Sequence, residues 1–235
     1  NLELGLSDLA QIEKRRERLK KQMRTSKEAQ TEDAALERIQ AVLEEGGAAR
    51  SVELSDEEAL MIKPLGLLTA KPIIYATNVS EDDLAAGNRF CEDVVALAAK
   101  EGAETVRISA QVEAELVELG EEERKDYLDG LGVEEGGLKS LIRATYRLLG
   151  LRTYFTTGEK ETRAWTFRAG MTAPQAAGVI HTDFERGFIR AQTIGCEKLL
   201  EAGSLAEARN KGWLRSEGKE YEVEEGDVME FLFNV

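Results

Sequence analysis

Residues 71–81 read Lys-Pro-Ile-Ile-Tyr-Ala-Thr-Asn-Val-Ser-Glu, and this stretch decides the fold of the chain around it. Its run of Ile73, Ile74 and Tyr75 is short, apolar and rich in β-formers, which is typical of a central parallel strand. The strand ends at Asn78. Because ligands of open α/β sheets bind beyond the carboxyl ends of the strands, Asn78 is predicted to lie at a binding edge. Its carboxamide offers both a donor and an acceptor, which suits the edge of a purine base.

Residues 78–81, which begin with the last residue of the strand, differ from a known base-reading motif. Guanine-reading GTPases use Asn-Lys-x-Asp, in which the aspartate pairs with donors that only guanine carries. This chain has Asn78-Val79-Ser80-Glu81 instead, without the lysine and with a carboxylate one methylene longer. On these four letters alone, a strand followed by a polar turn is the simpler interpretation.

A second strand and the helix before it complete one crossover unit. Residues 88–100 have amphipathic spacing, Gly102 ends the predicted helix, and residues 105–108 form the next strand. A strand–helix–strand unit of this kind is right-handed and parallel, so both strands end at the same sheet edge. We therefore expect Asn78 and the Ser109-Ala110 turn to lie side by side.

The first 48 residues predict a helical coiled-coil hairpin. The apolar seam of the first helix consists of Leu2, Leu6, Leu9, Ile12, Leu19 and Met23. Arg16 interrupts this seam and is expected to lie along it. Leu36, Ile39 and Leu43 mark the second helix, and residues 25–31 form a polar joint. Two amphipathic helices with a short joint fold back on each other as an antiparallel pair.

Charge is distributed unevenly along the chain, whose formal net charge is -14. Residues 13–27 hold eight basic and two acidic residues, a local charge of +6. The basic residues near the predicted hairpin tip are Lys14, Arg15, Arg18, Lys20, Lys21, Arg24 and Lys27. The overall charge disfavours nonspecific binding to naked nucleic acid. The basic tip is either a solvated helix face or a contact for a large anionic particle.

Further helices and strands are predicted in the rest of the middle region and in the final third of the sequence. Ser55 followed by three carboxylates begins one helix, and residues 138–149 form another that ends at Gly150. Its buried side is predicted to carry Leu138, Leu141, Ile142, Thr145, Leu148 and Leu149. Strands are predicted at residues 152–156, 162–167, 187–194, 221–223 and 228–233. Helices are predicted from Thr172 and over residues 196–211, the latter broken at Gly203. A small sheet crossed by one helix is a ubiquitin-like β-grasp.

The histidine, cysteine and glutamate side chains elsewhere in the sequence do not indicate a catalytic site. His181 is the only histidine, and a lone histidine near a helix end is usually structural or capping. Cys91 and Cys196 lack metal-ligand companions, so they are interpreted as core residues or free thiols. The glutamates between residues 113 and 123 form a solvated helix face. We expect no catalytic residue and no metal ligand in this chain.

Several separated motifs resemble the YchF-type Obg-like ATPases, a branch of the translation-factor-related P-loop proteins. In the middle region they are residues 67–72, 78–81 and 109–116. In the final third they are residues 163–166, 173–178, 180–185 and 226–229, which resemble the TGS domain that closes this family. The resemblance runs essentially from Asn1 to Val235.

The resemblance implies a mixed fold, α+β and α/β, in three domains. Residues 1–48 would be the coiled-coil hairpin insertion, and residues 49–150 the carboxyl-terminal half of the P-loop nucleotide-binding G domain. Residues 151–235 would be the TGS domain, with the β-grasp architecture.

The resemblance also implies which residues contact a nucleotide. Asn78 and Val79 would contact the base, with Glu81 as a less direct contributor. Ser109 and Ala110 would present backbone amides to it.

The activity implied by the resemblance is hydrolysis of ATP in preference to GTP, with Mg²⁺. The implied partner is the ribosome or a ribosomal subunit, through ribosomal RNA and protein, in the cytoplasm or in an organelle. Neither a membrane nor specific DNA is expected as a partner. No Gly-x-x-x-x-Gly-Lys-Ser/Thr occurs in the chain, so the phosphate loop and the Mg²⁺ ligands are expected elsewhere. We therefore expect a base-reading half without hydrolysis of its own. The alternative is a noncatalytic adaptor that binds a ribosome or a protein.

Overall fold

The computed structural model describes residues 1–158 and 161–234 and divides the chain into two compact units, Asn1–Gly137 and Leu138–Val235. Helices and parallel strands make up the first unit, and a five-stranded sheet with helices makes up the second. The chain therefore has the predicted mixed α/β character. The division falls before the helix predicted at residues 138–149, whereas the sequence places a domain boundary at Gly150. The three-domain division stays a prediction.

The first unit contains six α-helices and two strands. The helices are α1 (Leu2–Leu19), α2 (Lys27–Glu44), α3 (Asp56–Ile62), α4 (Arg89–Glu101), α5 (Ala110–Glu118) and α6 (Glu121–Gly130). The strands are β1 (Ile74–Asn78) and β2 (Glu104–Ile108). Short 3-10 turns at Ala49–Ser51 and Lys63–Leu65 flank α3. As predicted, Ser55 begins α3, where it forms a capping box with Glu58.

Helices α1 and α2 pack in opposite directions. Arg15 Nε donates to Glu32 Oε1 at 2.6 Å, and Gln30 Nε2 donates to the Met23 carbonyl at 2.7 Å. Residue numbers fall along one helix as they rise along the other, so the pair is antiparallel. The apolar residues buried in this pair include Ile12, Leu19, Ala35, Leu36, Ile39 and Leu43.

The buried face of α1 differs from the predicted seam, which was wrong at its start. Leu2 and Leu6 are 73% and 57% exposed. Asp8 is buried instead, and its carboxylate accepts hydrogen bonds from the backbone N–H groups of Leu68 at 2.8 Å and Thr69 at 2.7 Å. The Thr69 hydroxyl donates to the same carboxylate at 2.7 Å. These three bonds turn this face of α1 toward the segment before β1, which apolar spacing does not reveal.

Strands β1 and β2 form a parallel pair with α4 as the crossover, as predicted. Their register places Ile74 opposite Glu104 and Asn78 opposite Ile108. Asn88 caps the start of α4, and Gly102 ends it in the left-handed conformation, with φ of 63°.

The second unit is built on one mixed sheet. Its elements are α7 (Gly137–Leu148, which begins at the division), β3 (Leu151–Thr157), β4 (Thr162–Arg168), α8 (Ala173–Ile180), α9 (Thr182–Arg186), β5 (Phe188–Gly195), α10 (Cys196–Ala202), α11 (Leu205–Asn210), β6 (Arg215–Glu217) and β7 (Asp227–Phe233). The strand order is β4-β3-β7-β5-β6, and β3 and β7 are the parallel neighbours. The turn predicted between β3 and β4 falls partly on residues 159 and 160, outside the described residues.

Aromatic and small apolar side chains fill the core between this sheet and α8. Tyr154 is fully buried, and its hydroxyl donates to the Ala176 carbonyl at 2.9 Å. Phe167 and Phe231 contact the Tyr154 ring edge-on, with ring centroids 5.6 and 5.7 Å away. Most aromatic residues here are therefore core residues, as the sequence indicated.

One strand predicted in this unit was wrong, and one strand was not predicted. Residues 221–223 are not a strand, since Glu222 forms only an isolated bridge with Thr172. The strand beside β5 is instead Arg215–Glu217, which pairs through Gln192 and its neighbours. Its Arg-Ser-Glu sequence carries no apolar alternation, so its pairing depends on the edge that β5 offers.

The buried side of α7 was predicted correctly only in part, since Leu141, Thr145 and Leu148 are half-buried. Leu138 and Ile142 are each 50% exposed, and Leu149, which follows the helix, is 51% exposed. Ala144 is fully buried instead. A small residue permits close helix packing, so the buried stripe centres on Ala144 although larger apolar residues lie on other sides. No helix in the described ranges is long and apolar enough to cross a membrane.

Candidate functional site

The Asn78 carboxamide is held in one orientation at the end of β1. The backbone N–H of Ala110 donates to Asn78 Oδ1 at 3.0 Å. Because a backbone donor must meet the oxygen of the amide, this bond identifies which end faces inward. Asn78 is exposed, and among the described residues its Nδ2 group has no hydrogen-bond partner. The site therefore presents the Asn78 NH₂ group as a fixed hydrogen-bond donor at the carboxyl end of β1.

The Ser109-Ala110 turn lies beside Asn78, as the crossover unit predicts. Ser109 is buried, and its Oγ accepts from the backbone N–H of Val112 at 3.4 Å as the cap of α5. The Ser109 side chain is therefore a helix cap, and the Ala110 amide is used to hold Asn78.

The N–H of Gln111, the next residue of α5, has no acceptor within the described part of the chain. Unpaired N–H groups are expected in the first turn of a helix. The Gln111 N–H is therefore a second hydrogen-bond donor at the site. Because it belongs to the backbone, a pattern of side chains cannot predict it.

Val79 connects the end of β1 to the neighbouring strand and to an apolar cluster. Its backbone N–H donates to the Ile108 carbonyl at 2.9 Å, which extends the parallel ladder by one bond. Its half-buried side chain packs against a cluster that contains Leu84, Val112 and Leu116. Val79 thus joins the strand end to the core beneath α5.

Glu81 is turned toward α6 by a tyrosine that sequence reasoning missed. The Tyr127 hydroxyl lies 2.7 Å from Glu115 Oε2 and 3.3 Å from Glu81 Oε1. The hydrogen bond from Tyr127 lowers the pKa of Glu115. The same bond, with burial and the two carboxylate charges, raises the pKa of Tyr127 to about 12. Tyr127 is 46 residues from Glu81 in a charged helix, so no local signal pairs them.

The loop after Asn78 is braced by polar contacts. The Asp83 carboxylate accepts from Ser80 Oγ at 3.1 Å and from Asn88 Nδ2 at 2.7 Å. Arg107 donates to two backbone carbonyls of this loop at 3.0 and 2.6 Å. Gly87 has φ of 78°, and a Cβ there would lie 3.0 Å from the Arg107 guanidinium carbon. Glycine is thus required where the loop passes this guanidinium.

The side chains considered above for metal binding or catalysis have other surroundings. His181 Nδ1 accepts from the backbone N–H of Asp183 at 3.2 Å, so of the two predicted roles, structural or capping, the structure shows capping. Cys91 and Cys196 are both free thiols. Within residues 1–158 and 161–234, no group of three or more histidine, cysteine, aspartate or glutamate side chains could hold a metal ion.

Known proteins resemble this chain in both sequence and structure. Residues 151–234 match the family YchF-GTPase_C, described as "Protein of unknown function (DUF933)". The chain is 49% identical to "Ribosome-binding ATPase YchF" of Bacillus subtilis (strain 168) over 238 residues, and 49% identical to that of Escherichia coli O157:H7 over 236 residues. Each alignment covers the whole of this chain, which spans 65% of the length of each relative.

A solved structure agrees with these sequence relationships. The structure of the Schizosaccharomyces pombe YchF GTPase matches with a TM-score of 0.85 and 34% identity, covering 98% of this chain and 64% of that one. The similarity thus extends over both compact units and includes the Asn78 edge. The chain belongs to the YchF family of Obg-like proteins.

Proposed function

We propose that this chain carries the base-contacting part of a ribosome-associated nucleotide-binding protein that prefers ATP to GTP. The observation that carries the proposal is the Asn78 carboxamide, which Ala110 fixes at 3.0 Å at the carboxyl end of a parallel strand. Ligands of open α/β sheets bind at this edge. The names of the relatives, which describe a ribosome-binding ATPase, support the same function.

The geometry suits a purine. Asn78 Nδ2 is placed to donate to an acceptor such as purine N7, and Oδ1 retains a lone pair for the exocyclic amine of adenine. Val79 supports the strand end, while Ser109 and Ala110 hold the turn that orients Asn78. The Gln111 N–H is a further donor for ring acceptors, which both purines have.

The surroundings of Glu81 favour adenine over guanine. Guanine has ring and amino donors that need a directed acceptor, the role of the aspartate in Asn-Lys-x-Asp. Here the Glu81 carboxylate lies 3.3 Å from the Tyr127 hydroxyl. A carboxylate directed toward α6 is a poor acceptor for guanine, so the site loses the group that selects GTP.

Hydrolysis belongs in this proposal to the whole protein. The chain contains no phosphate-loop motif, and its described residues form no metal cluster. Mg²⁺, which bridges phosphate oxygens in P-loop enzymes, would be held by other residues. The described residues would bind and orient the base.

The tip of the α1–α2 pair supports ribosome binding. Five exposed cations there have no ion-pair partner in the described ranges: Lys14, Arg18, Lys21, Arg24 and Lys27. Arg15 and Lys20, by contrast, pair with Glu32 and Glu17. Unpaired cations on one surface can neutralise the phosphates of ribosomal RNA. Such a partner would place the protein in the cytoplasm or in an organelle that contains ribosomes.

We also infer that the two-helix pair is the coiled-coil insertion and that the second unit contains a TGS domain. The antiparallel packing of α1 and α2 supports the first assignment. The five-stranded mixed sheet crossed by α8 supports the β-grasp architecture of the second.

A noncatalytic adaptor is the alternative function. The exposed cations at the α1–α2 tip favour it, because they can bind a ribosome without any nucleotide. An adaptor would bind ribosomes equally well with and without ATP.

Nucleotide binding is tested by titrating ATP and GTP, with Mg²⁺, into the chain and into a version extended along its native reading frame. We expect ATP to shift the amide resonances of Ala110 and Gln111, and Asn78→Ala to weaken ATP binding about tenfold. Asn210→Ala, an exposed asparagine in the second unit, is the matched control. If neither version binds a nucleotide, the adaptor replaces the base-site proposal.

Ribosome binding is tested separately by sedimentation with purified ribosomes. The triple variant Arg18→Glu, Lys21→Glu and Arg24→Glu should release the protein into the supernatant and remove most of the salt dependence. Unchanged sedimentation would exclude the α1–α2 tip as the contact.

A further inference from the structure

The five-stranded sheet of the second unit has two edge strands of very different length. At one edge β6 has three residues, and at the other β4 has seven. Native sheets protect their edges with short strands, prolines or bulges. The short length of β6 protects its edge, whereas β4 contains neither proline nor glycine and pairs with β3 without a register shift. Strand β4 therefore offers a long and regular edge to another strand.

The hydrogen bonds at both ends of the β3–β4 pair show which backbone groups of β4 face outward. The Gly158 N–H donates to the Glu161 carbonyl at 3.0 Å, and the Ala169 N–H donates to the Gly150 carbonyl at 2.8 Å. In an antiparallel pair, residues bonded to the neighbouring strand alternate with residues whose N–H and C=O groups point away from it. The residues of β4 that point away are Thr162, Ala164, Thr166 and Arg168.

Most of these outward backbone groups are open to a partner. All four residues are exposed. The Arg168 carbonyl accepts from the Met171 N–H at 3.2 Å, as part of the turn after β4. Among the described residues, the outward N–H and C=O groups of Ala164 and Thr166 have no hydrogen-bond partner. Such groups can bind a further strand through a backbone ladder.

An aromatic side chain stands at the middle of this edge. Trp165 is the central residue of β4 and is half-buried. Its Nε1 donates to Thr156 Oγ1 at 2.9 Å, and the Arg163 guanidinium carbon lies 4.2 Å from the centroid of its ring. Because the Trp165 backbone is bonded to β3, this residue would be a non-hydrogen-bonded position toward a new strand, where opposed side chains come closest. The indole is therefore held in place for a cross-strand aromatic contact.

We propose that β4 pairs with β4 of a second copy of this chain, antiparallel and about a two-fold axis at Trp165. This register places Ala164 opposite the partner's Thr166. It also places Thr162 opposite the partner's Arg168. Every hydrogen-bonded pair then uses outward groups of both strands, which gives about six backbone hydrogen bonds between the copies. The proposal does not depend on the Asn78 site.

The charges along β4 are compatible with this register. Arg163 would lie opposite the partner's Phe167, and Arg168 opposite the partner's Thr162, so no like charges meet across the strands. Moving the partner strand by four residues would instead place the two Arg163 side chains opposite each other, which is unfavourable. The outward groups are also arranged symmetrically about Trp165, so one copy supplies the acceptors and donors that the other lacks. A strand of another protein would not share this symmetry.

The test is analytical ultracentrifugation of the full chain over a range of concentrations. We expect a reversible monomer–dimer equilibrium with a dissociation constant in the micromolar range, because one pair of strands buries less surface than a standard interface. Ala164→Pro removes an outward N–H without breaking a bond to β3, so it should weaken the dimer at least about tenfold. Ala164→Thr keeps the N–H at the same position and is the matched control, which should leave the dimer intact.

NMR then locates the contact and its register. As concentration rises, amide exchange should slow at Ala164 and Thr166 but not at Arg163, whose N–H already donates to β3. In a mixture of labelled and unlabelled chains, an NOE between the Trp165 rings of two copies should appear. Unchanged Tyr154 resonances in Ala164→Pro would show that this variant is folded.

Three results would overturn the proposal. The first is a chain that stays monomeric, including one that binds an extended peptide at β4 instead. The second is equal dimerisation of folded Ala164→Pro and Ala164→Thr. The third is slower exchange at positions other than the outward amides of β4, which would place the contact between copies elsewhere.

Discussion

The two sheets of this protein are stabilised in different ways. In the parallel pair of the first unit, Val106 is the one buried residue of the two strands. In the five-stranded sheet, β5 and β7 each contribute several buried residues, and the Tyr154 side chain of β3 is fully enclosed. The pair fully buries one side chain and has polar side chains at its end. The larger sheet is held by a packed core.

This difference shows where stability and binding groups are located. Asn78 and its supports lie at the lightly buried edge, where side chains remain accessible to a ligand. Residues that bind ligands are commonly carried by such exposed ends, while buried strands supply the rigid frame. We therefore expect substitutions in the larger sheet to change stability strongly. Substitutions near Asn78 should change binding with smaller effects on stability.

The largest expected effect is the loss of the Tyr154 side chain. Tyr154→Ala would leave a cavity in the core and remove the hydrogen bond to the Ala176 carbonyl. We expect the free energy of unfolding of the second unit to fall by about 4 kcal/mol. The measurement is chemical denaturation followed by resonances of that unit. Tyr154→Phe, which keeps the ring, should cost about 1 kcal/mol. If Tyr154→Ala costs less than about 1 kcal/mol, the core around Tyr154 does not stabilise this unit as described.

The next largest effect concerns Asp8, the buried carboxylate of α1. Asp8→Ala would leave the donors of Leu68 and Thr69 without their acceptor, which should lower the free energy of unfolding of the first unit by about 3 kcal/mol. Glu37→Ala is the control, since Glu37 pairs with Arg16 at 3.1 Å through a side chain that is 70% exposed, and its loss should cost less than about 1 kcal/mol. Equal costs in a denaturation series would contradict the importance of burial in this comparison.

A smaller effect is expected on base preference. Tyr127→Phe would release Glu81 from the hydroxyl, so its carboxylate could turn toward the donors of guanine. We expect the ratio of ATP affinity to GTP affinity to fall about threefold, since a hydrogen bond contributes only about 1 kcal/mol. Tyr75→Phe is the matched control, because Tyr75 donates to Glu101 at 2.9 Å outside this cluster. An unchanged ratio, measured in the same nucleotide titration, would remove Glu81 from the explanation of specificity.

The smallest effect is the pH dependence of the same cluster. The hydrogen bond from Tyr127 lowers the pKa of Glu115, so its contribution to stability is present above the ordinary carboxyl pKa and is lost as pH falls through the lowered value. The raised pKa of Tyr127, about 12, contributes stability below the ordinary tyrosine value of about 10, which is lost as pH rises through about 12. Carboxyl NMR and tyrosinate absorbance, compared with Tyr127→Phe, measure both. A Glu115 titration that is identical in the two proteins would disprove the coupling.

Local signals in the sequence predicted much of the fold. The predicted helix starts at Ser55 and Thr172 and the predicted helix end at Gly102 each depend on residues only a few positions away. The crossover between β1 and β2 also follows from local order, because a strand–helix–strand unit has one strongly preferred hand. The proximity of Asn78 and Ala110 could therefore be predicted, whereas base binding by these residues stays a prediction.

The errors occurred where distant residues decide the outcome. Apolar spacing alone could not show that Asp8 faces Thr69 while Leu2 is exposed. The strand at Arg215–Glu217 has no strand-like pattern, and its pairing is decided by the edge of β5. Helix α7 buries Ala144, because the space available to a helix face is set by its neighbours.

The sequence by itself determined the order of the elements, their caps and the membership of this chain in its family, since these depend on neighbouring residues and on separated motifs. Only the tertiary structure decided the hydrogen bond that orients Asn78, the contact between Tyr127 and Glu81, and the burial of Asp8 against Thr69. Each of these contacts joins groups from separate elements. Their distances follow from packing and chain reversal, which one-dimensional spacing does not specify.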